Sequence, residues 1–299
     1  MIKTPMSCKM RITVFLDQEV NVMSRAREGL KEKKRIVVKI GSSSLVHEET
    51  GRINIMRLEK LVRVLVDIKN EGKDVCLVSS GAIAVGKASA GMYGTKTAEA
   101  ESLPMKQACA AIGQAKLVMM YQKLFGEYNS AMGQVLLTRI TLDNEYTRQN
   151  AYNTFEELFK LGVIPVVNEN DSISTEEIEQ VQTFGDNDRL SAIVTKLTGA
   201  DLLVLLSDID GMYTDDPKDN PEAKLIPEIT DISESLLHMA KGTHDGGPGR
   251  GGMSAKLAAA EIALGSGADM LILNGNDPYN IKRAMEGEPV GTLFVHKTV

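Results

Sequence analysis

The sequence predicts an α/β fold built on a mostly parallel, buried β-sheet. Short runs of β-branched and aliphatic residues alternate with longer segments whose apolar residues recur at helical spacing, and this alternation is typical of βαβ units. The short runs are apolar at nearly every position, as parallel strands are when helices cover both faces of the sheet. With 299 residues, 43% of them hydrophobic, the chain can bury the core of one large α/β domain or of two joined lobes.

The elements can be placed in order from Arg35 onward. The first strand is predicted at 36–40. Asn54 can cap a helix whose apolar residues repeat from Ile55 to Ile68, and Gly72 ends it. The further elements predicted are strand 75–79, helix 103–128, strand 134–137, helix 143–161, strand 163–167, helix 189–197, strand 202–206, helix 253–264, strand 270–273 and a strand near Leu293.

Residues 1–33 stand outside this alternation. The segment 24–34 is rich in charge, and Met23 is a candidate alternative start. We therefore expect residues 1–33 to form an N-terminal extension, and the sequence leaves open whether it serves catalysis.

Composition argues against several classes of function. The formal net charge of −6 and the pI near 5.4 give no indication of a basic face for nucleic acid. Cys8, Cys76 and Cys109 form no CxxC pair, which argues against a disulfide framework or a zinc site and favours a reducing cytoplasm. No apolar run approaches the ~20 residues that span a bilayer, so no membrane attachment is expected.

Three segments place glycine and small residues where a strand ends or a helix starts. They are Lys39–Ser44 (KIGSSS), Val78–Ala84 (VSSGAIA) and Gly249–Lys256 (GRGGMSAK). Backbone N–H groups and a lysine can meet an anion at such points, although an ordinary turn also explains each segment taken alone. Gly81–Lys87 (GAIAVGK) resembles a P-loop, but Ala88 stands where Ser or Thr should hold Mg²⁺, and the inner residues favour a helix.

A long polar connection, residues 169–187, joins a predicted strand to the next helix. Such a length inside a compact domain usually indicates a functional loop. Asn168–Asp171 (NEND) and Gly185–Asp188 (GDND) flank it, and their carboxylates and amides suit an ammonium ligand or the organisation of lysines, with helix capping as the alternative. The turn-rich stretch 208–219 lacks the EF-hand spacing and is a better candidate for lining a nucleotide site.

In this order the motifs resemble the amino acid kinase family. The motifs that carry the resemblance are VKIGSSSL (38–45), VSSGAIAVG (78–86), GQVLLTR (133–139), PVVNEND (165–171), GDND (185–188), DIDGMYTDDP (208–217) and GGMSAK (251–256). The similarity spans residues 35–296 and is greatest to the branch that phosphorylates glutamate. It implies a three-layer αβα sandwich in which residues 34–199 bind the amino acid and residues 200–299 bind the nucleotide.

The resemblance also implies roles for individual residues. Lys39 and Lys256 would contact the phosphoryl group in transfer, and Asp188 would hold both lysines in place. The positions that match glutamate-binding ones are Ser80, Gly81, Asp171 and Asn187. The positions that match ATP-binding ones are Lys39, Ser207, Asp208, Arg250, Gly251, Gly252, Met253, Ser254, Ala255 and Lys256. Ser207, Arg250 and Ala255 differ from the residues usual in the family, which bears on the nucleotide contacts.

The implied activity is transfer of the γ-phosphate of ATP to the γ-carboxylate of L-glutamate, the first step of proline biosynthesis. The same resemblance implies Mg²⁺ bound through the ATP phosphates, feedback inhibition by proline, a homo-oligomer and a reductase that consumes the product. Many members carry a C-terminal PUA domain, which we do not expect in this sequence. Two alternatives stay open: a kinase of this family acting on acetylglutamate, aspartate, carbamate or UMP, and a non-catalytic amino-acid sensor.

Overall fold

An eight-stranded sheet forms the centre of the molecule. The computed structural model describes residues 24–138, 142–173, 187–217, 219–234, 236–237 and 252–297. The strands are β1 Arg35–Ile40, β2 Asp74–Ser79, β3 Met132–Leu137, β4 Ile164–Glu169, β5 Leu202–Ser207, β6 Glu228–Ile229, β7 Asp269–Asn274 and β8 Thr292–Phe294. Their order is β3-β4-β2-β1-β5-β7-β8-β6, and only β7 and β8 pair antiparallel. The predicted mostly parallel sheet is therefore confirmed.

Helices cover both faces of this sheet. The described helices are α1 Arg25–Glu28, α2 Ser42–Leu45, α3 Ile55–Asn70, α4 Ala82–Ser89, α5 Leu103–Glu127, α6 Glu145–Lys160, α7 Asn187–Thr198, α8 Met253–Gly265 and α9 Asn280–Met285, with a 3₁₀ turn at Gly29–Glu32. The longer elements agree with the predicted ones to within two residues at each end, and Asn54 caps α3 through a bond from the Arg57 N–H. In the described ranges, none of the helices combines the length and apolar character that crossing a bilayer requires.

Alternate residues of each strand face opposite helical layers. In β1, Ile36, Val38 and Ile40 pack in a core shared with α3 and α5, whereas Val37 packs in a second core with α6, α7 and α8. Because side chains alternate along a strand, Lys39 faces the same side as Val37. The three-layer αβα arrangement is thus confirmed, and it aims Lys39 at the α7 and α8 layer.

The carboxyl ends of the parallel strands meet at one edge of the sheet. From β1 the chain adds β2, β3 and β4 on one side and then places β5 and β7 on the other. The neighbours β1 and β5 therefore mark the point where the strand order reverses, and open α/β sheets bind ligands in the crevice outside such a point. The predicted motifs after β1, β2, β4 and β5 all lie at this edge.

The segment Ser24–Glu32 packs against the part of the sheet that contains β6 and β8. Arg27, only 3% exposed, donates hydrogen bonds to the backbone carbonyls of Pro227, Glu288, Val290 and Gly291. The Ser24 hydroxyl also donates to the Glu228 carboxylate at 2.5 Å. The described part of residues 1–33 is therefore bound to the β6 and β8 region, and its assignment as an N-terminal extension stays a prediction.

Candidate active site

Two lysines and one aspartate form a buried charged triad at the carboxyl edge of the sheet. Lys39 Nζ lies 2.5 Å from Asp188 Oδ1, and Lys256 Nζ lies 3.2 Å from Asp188 Oδ2. The Asp188 side chain is 1% exposed, and each lysine side chain is 8% exposed. Residues 217 positions apart in the chain thus converge on one carboxylate, and they are the three side chains for which the resemblance implied a joint role.

Each member of the triad is positioned by a different element. Lys39 is the penultimate residue of β1, Asp188 lies in the first turn of α7, and Lys256 lies in the first turn of α8. The layer that receives Lys39 from the sheet is the one that contains both helices, and α7 packs directly on α8. A helix N-terminus favours negative charge, so both helix starts also suit an anionic ligand beside the lysines.

The triad keeps Asp188 ionised. Burial by itself would raise the pKa of this carboxyl, but the nearby charges of Lys39 and Lys256 outweigh burial and hold the pKa well below its usual range. A carboxylate with so low a pKa is a poor proton acceptor near neutral pH. Asp188 can therefore orient two ammonium groups, and it is not suited to act as a general base.

A chain of amide and hydroxyl hydrogen bonds lies beside the triad. Asn187 Nδ2 donates to Ser80 Oγ at 2.6 Å and to Asn168 Oδ1 at 3.1 Å. Asn168 Nδ2 in turn donates to Gln114 Oε1 at 2.8 Å. Because Asn187 and Asp188 are adjacent in α7, the amide chain and the charged triad are parts of one site.

The strand β2 ends in a turn that depends on Gly81. This glycine has φ +97°, and a Cβ added to it would lie 3.0 Å from a methyl of Leu45. Glycine adopts this left-handed backbone without a steric penalty. The helix α4 begins immediately afterwards at Ala82, so the residues inside GAIAVGK are helical and the P-loop interpretation is excluded.

The remaining predicted ligand residues lie at the same edge. Asp171 follows the end of β4 by two residues and is half-buried. Ser207 ends β5 and is 7% exposed, and its hydroxyl donates to Asp208 Oδ1 at 3.2 Å. Gly252 precedes α8, whose first turn contains Met253, Ser254, Ala255 and Lys256. Arg250 and Gly251 lie outside the described residues.

Two residues of the amide chain were not among the glutamate-binding positions that the resemblance implied. Asn168 belongs to the NEND motif, and its alternation with Val166 on β4 could have indicated that it faces the α5 layer. Gln114 carries no comparable signal, because it is one polar residue in a long helix whose packing is set by tertiary contacts. The pairing of these two side chains could be found only in three dimensions.

The described part of the chain has no group of three or more His, Cys, Asp or Glu side chains placed to hold a metal ion. Mg²⁺ brought in on nucleotide phosphates needs few protein ligands and often keeps several waters.

The fold and this site define a class of protein. Buried cations at the reversal point of a parallel sheet, next to two helix N-termini, are typical of an α/β enzyme that handles phosphoryl groups. The sequence model of the amino acid kinase family matches residues 34–274. The chain belongs to the amino acid kinase family.

Curated relatives and solved structures agree with this membership. The chain is 48% identical over 271 residues to a glutamate 5-kinase of Clostridium perfringens, covering 91% of this chain and 98% of that protein. It is 47% identical to a glutamate 5-kinase of Listeria innocua, covering 91% and 96%. A UMP kinase of Bacillus anthracis shares the fold, with a TM-score of 0.60, 18% identity, and coverage of 89% of this chain and 97% of that one. An isopentenyl phosphate kinase of T. acidophilum gives a TM-score of 0.58, 19% identity, and coverage of 88% and 100%.

Proposed function

We propose that the protein transfers the γ-phosphoryl group of ATP to the γ-carboxylate of L-glutamate, producing ADP and L-glutamyl 5-phosphate. The observation that carries this proposal is the buried Lys39–Asp188–Lys256 triad at the reversal point of the sheet. The similarity to proteins named glutamate 5-kinase, at 47–48% identity over 91% of the chain, supports glutamate as the acceptor.

The main obstacle in this reaction is charge repulsion. A γ-carboxylate has a reference pKa of about 4.3, so at neutral pH it is already an anionic nucleophile and needs no base. Two negative oxygens ~4 Å apart repel by about 4 kcal/mol at an effective dielectric constant of ~20. In our proposal the ammonium groups of Lys39 and Lys256 offset this repulsion as the phosphoryl group moves between the two anions. Asp188 keeps both ammonium groups at the line of transfer.

The two substrates would occupy opposite sides of the triad. Glutamate would bind at the ends of β2 and β4, next to the start of α7, through Ser80, Gly81, Asp171 and Asn187. ATP would bind at the end of β5 and the start of α8, through Lys39, Ser207, Asp208 and the 250–256 segment. Mg²⁺ bound to the phosphates would supply further positive charge during transfer. This arrangement assigns residues 34–199 to the amino acid and residues 200–299 to the nucleotide.

A panel of acceptors tests the proposed reaction. ADP release is measured with L-glutamate, N-acetylglutamate, aspartate, carbamate and UMP at equal concentration. We expect glutamate to give the highest kcat/KM, because the relatives at 47–48% identity are named glutamate 5-kinases. A higher kcat/KM with another acceptor would assign the chain to a different activity of the family. ADP release with none of them would favour the amino-acid sensor.

The product suggests a partner enzyme. An acyl phosphate hydrolyses readily in water, so we propose that a reductase consumes it soon after release, in the cytoplasm.

The acceptor site suggests an inhibitor. Proline carries an α-ammonium and an α-carboxylate group, as glutamate does, and would compete at Ser80 and Asn187. Inhibition by proline that glutamate overcomes would support this competition, and inhibition insensitive to glutamate would contradict it.

We also propose a homo-oligomer formed at the β3 edge of the sheet. In the described strands β3 is a terminal strand, which leaves one row of its backbone groups without a strand partner. The exposed apolar side chains of Leu136, Ile112 and Met119 lie on this strand and on the neighbouring helix α5. A second copy of the chain could cover both features. A solution mass by light scattering equal to one chain of 32.5 kDa would contradict this proposal.

A further inference from the structure

We propose that Gln114 is a positioning residue that makes the acceptor site specific for an α-amino acid. It acts through Asn168 and Asn187, and it would not touch the substrate itself. The inference rests on the proposed phosphorylation of glutamate and assigns a role to a residue of α5 that the charged triad does not involve.

The contacts of Gln114 fix the orientation of two carboxamides. Gln114 Oε1 accepts from Asn168 Nδ2, which turns Asn168 Oδ1 toward Asn187. Asn187 can then approach Asn168 only with its N–H₂ group, because two carbonyl oxygens facing each other would repel. If Gln114 were rotated, its own N–H₂ would face that of Asn168. In this orientation Gln114 Oε1 is the acceptor that ends the chain, and donors and acceptors alternate from it to Ser80.

The orientation determines what the site offers to a ligand. Asn187 Nδ2 donates its two protons to Asn168 and Ser80, so its Oδ1 is left to accept a hydrogen bond. The Ser80 hydroxyl accepts from Asn187, and its own proton is left to donate. An oxygen acceptor suits an ammonium group, and a hydroxyl donor suits a carboxylate. The pair thus matches the two charged groups on the α-carbon of an amino acid.

The helix α5 holds Gln114 in a fixed place. Tyr121 lies seven residues further along the same face, and its hydroxyl forms a 2.7 Å hydrogen bond with Ser79 Oγ, with both residues buried. Ser79 immediately precedes Ser80, so α5 is attached to both sides of the acceptor site. Asn168 is 3% exposed, and an unsatisfied donor on a buried carboxamide costs free energy, which favours reorientation of the side chain. Loss of Gln114 Oε1 would therefore change the hydrogen bond between Asn168 and Asn187.

The test compares Gln114→Leu with Gln114→Glu and with Gln122→Leu. A leucine side chain at position 114 removes the acceptor, whereas a glutamic acid side chain at this position keeps an oxygen for Asn168 Nδ2. Gln122 is an exposed residue of the same helix, so its variant is the control. The measured quantities are the KM for glutamate, the KM for ATP, kcat, and the inhibition constant of glutarate, which lacks the amino group. For Gln114→Leu we expect the KM for glutamate to rise about 10-fold, the scale of one lost polar contact to a ligand, with the other constants within about two-fold. Gln122→Leu should stay near the parent enzyme, and Gln114→Glu should raise the KM for glutamate less than Gln114→Leu does.

Each outcome decides for or against the role of Gln114. An unchanged KM for glutamate in a Gln114→Leu variant with parental Tm would overturn it. An equal weakening of glutamate and glutarate would also overturn it, because a general structural defect does not distinguish the amino group. If Gln114→Leu does not fold, Gln114→Ala takes its place, and an equal loss of affinity for glutamate and for glutarate in that variant would overturn the role. A parent enzyme that does not phosphorylate glutamate would refute the proposed function, whereas an active parent with an unaffected variant refutes only the role of Gln114.

Discussion

Lys39 occupies a strand position that would otherwise hold an apolar residue of the second core. The alternation along β1 sends it to the same side as Val37, where it stays 6% exposed. A buried ammonium group is stable only with a partner, and Asp188 supplies one carboxylate to two lysines. The site thus places a charged side chain at a buried strand position, whereas the neighbouring buried positions of the strand are apolar.

Lys39→Ala and Lys256→Ala are each expected to lower kcat by roughly 10²-fold or more, the scale of losing one preorganised charge or donor. The reason is that each ammonium group would offset negative charge during phosphoryl transfer. Steady-state ADP release with saturating glutamate and ATP measures the effect. Lys196→Ala is the matched control, because Lys196 is an exposed residue of α7, the helix that contains Asp188. Parental kcat in either lysine variant would contradict its proposed role.

The family resemblance, and not the residues taken singly, implied the roles of Lys39, Asp188 and Lys256. Taken alone, the lysine segments are also explained by ordinary turns and the aspartate by helix capping, whereas the structure brings the three side chains together. Gln114 is a common residue in a helix, and only its contact with Asn168 distinguishes it. The orientation of Asn187 depends on that contact and could not be predicted from the order of residues.

At the scale of elements, α4 and α5 pack closely through two glycines. A Cβ placed on Gly113 would lie 1.8 Å from the backbone oxygen of Ala82, and one placed on Gly86 would lie 1.8 Å from that of Cys109. Such distances are too short for any side chain, so each helix presents bare backbone to the other. This contact fixes α5 relative to the turn at Gly81 and hence relative to the acceptor site.

Gly113→Ala is expected to destabilise the protein by about 1–3 kcal/mol, the usual cost of overpacking, because two helix backbones must move apart. Gly126→Ala in the same helix has no atom within 4 Å of the added Cβ and should be neutral or stabilising. Thermal unfolding measures both variants. For a domain of this size, about 1 kcal/mol corresponds to a Tm change of about 2–4 °C. A Gly113→Ala variant as stable as the parent would show that the helices can separate without cost.

Long elements were predictable, as was the three-residue strand β8 near Leu293, whereas other short elements were not. The helix α3 has four turns of apolar residues at helical spacing and a capping asparagine, and its predicted start is confirmed at Ile55. The helices α2 and α9, with 4 and 6 residues, and the two-residue strand β6 are too short to display a period. The close packing of α4 on α5 depends on contacts between segments and has no local signature.

At the scale of the whole molecule, Arg27 connects the beginning and the end of the described chain. Its guanidinium reaches carbonyls at 227, 288, 290 and 291, which are 200 or more residues away. The contact joins the N-terminal helical segment to the strands β6 and β8, on the opposite flank of the sheet from β3. Sequence alternation could not indicate this contact, because a single arginine in a charged segment usually lies in solvent.

Arg27→Met is expected to lower the free energy of unfolding by about 2 kcal/mol or more, since four buried or half-buried carbonyls lose a charged donor. Chemical denaturation in urea measures the change. Arg25→Met is the matched control, because Arg25 is exposed in the same helix α1. If the two variants unfold at the same urea concentration, the Arg27 contacts do not contribute to global stability.

Two ammonium groups share one carboxylate in the triad, so the three side chains together carry about one unit of positive charge in a chain whose net charge is −6. The carboxylates of Asp171 and Asp208 lie at the same edge of the sheet and offset this charge for a ligand that approaches them. Dissolved salt weakens all these forces, with a Debye length of about 8 Å at physiological ionic strength. The triad is therefore a local charge of opposite sign to the overall one, and it acts on an anion mainly at short range.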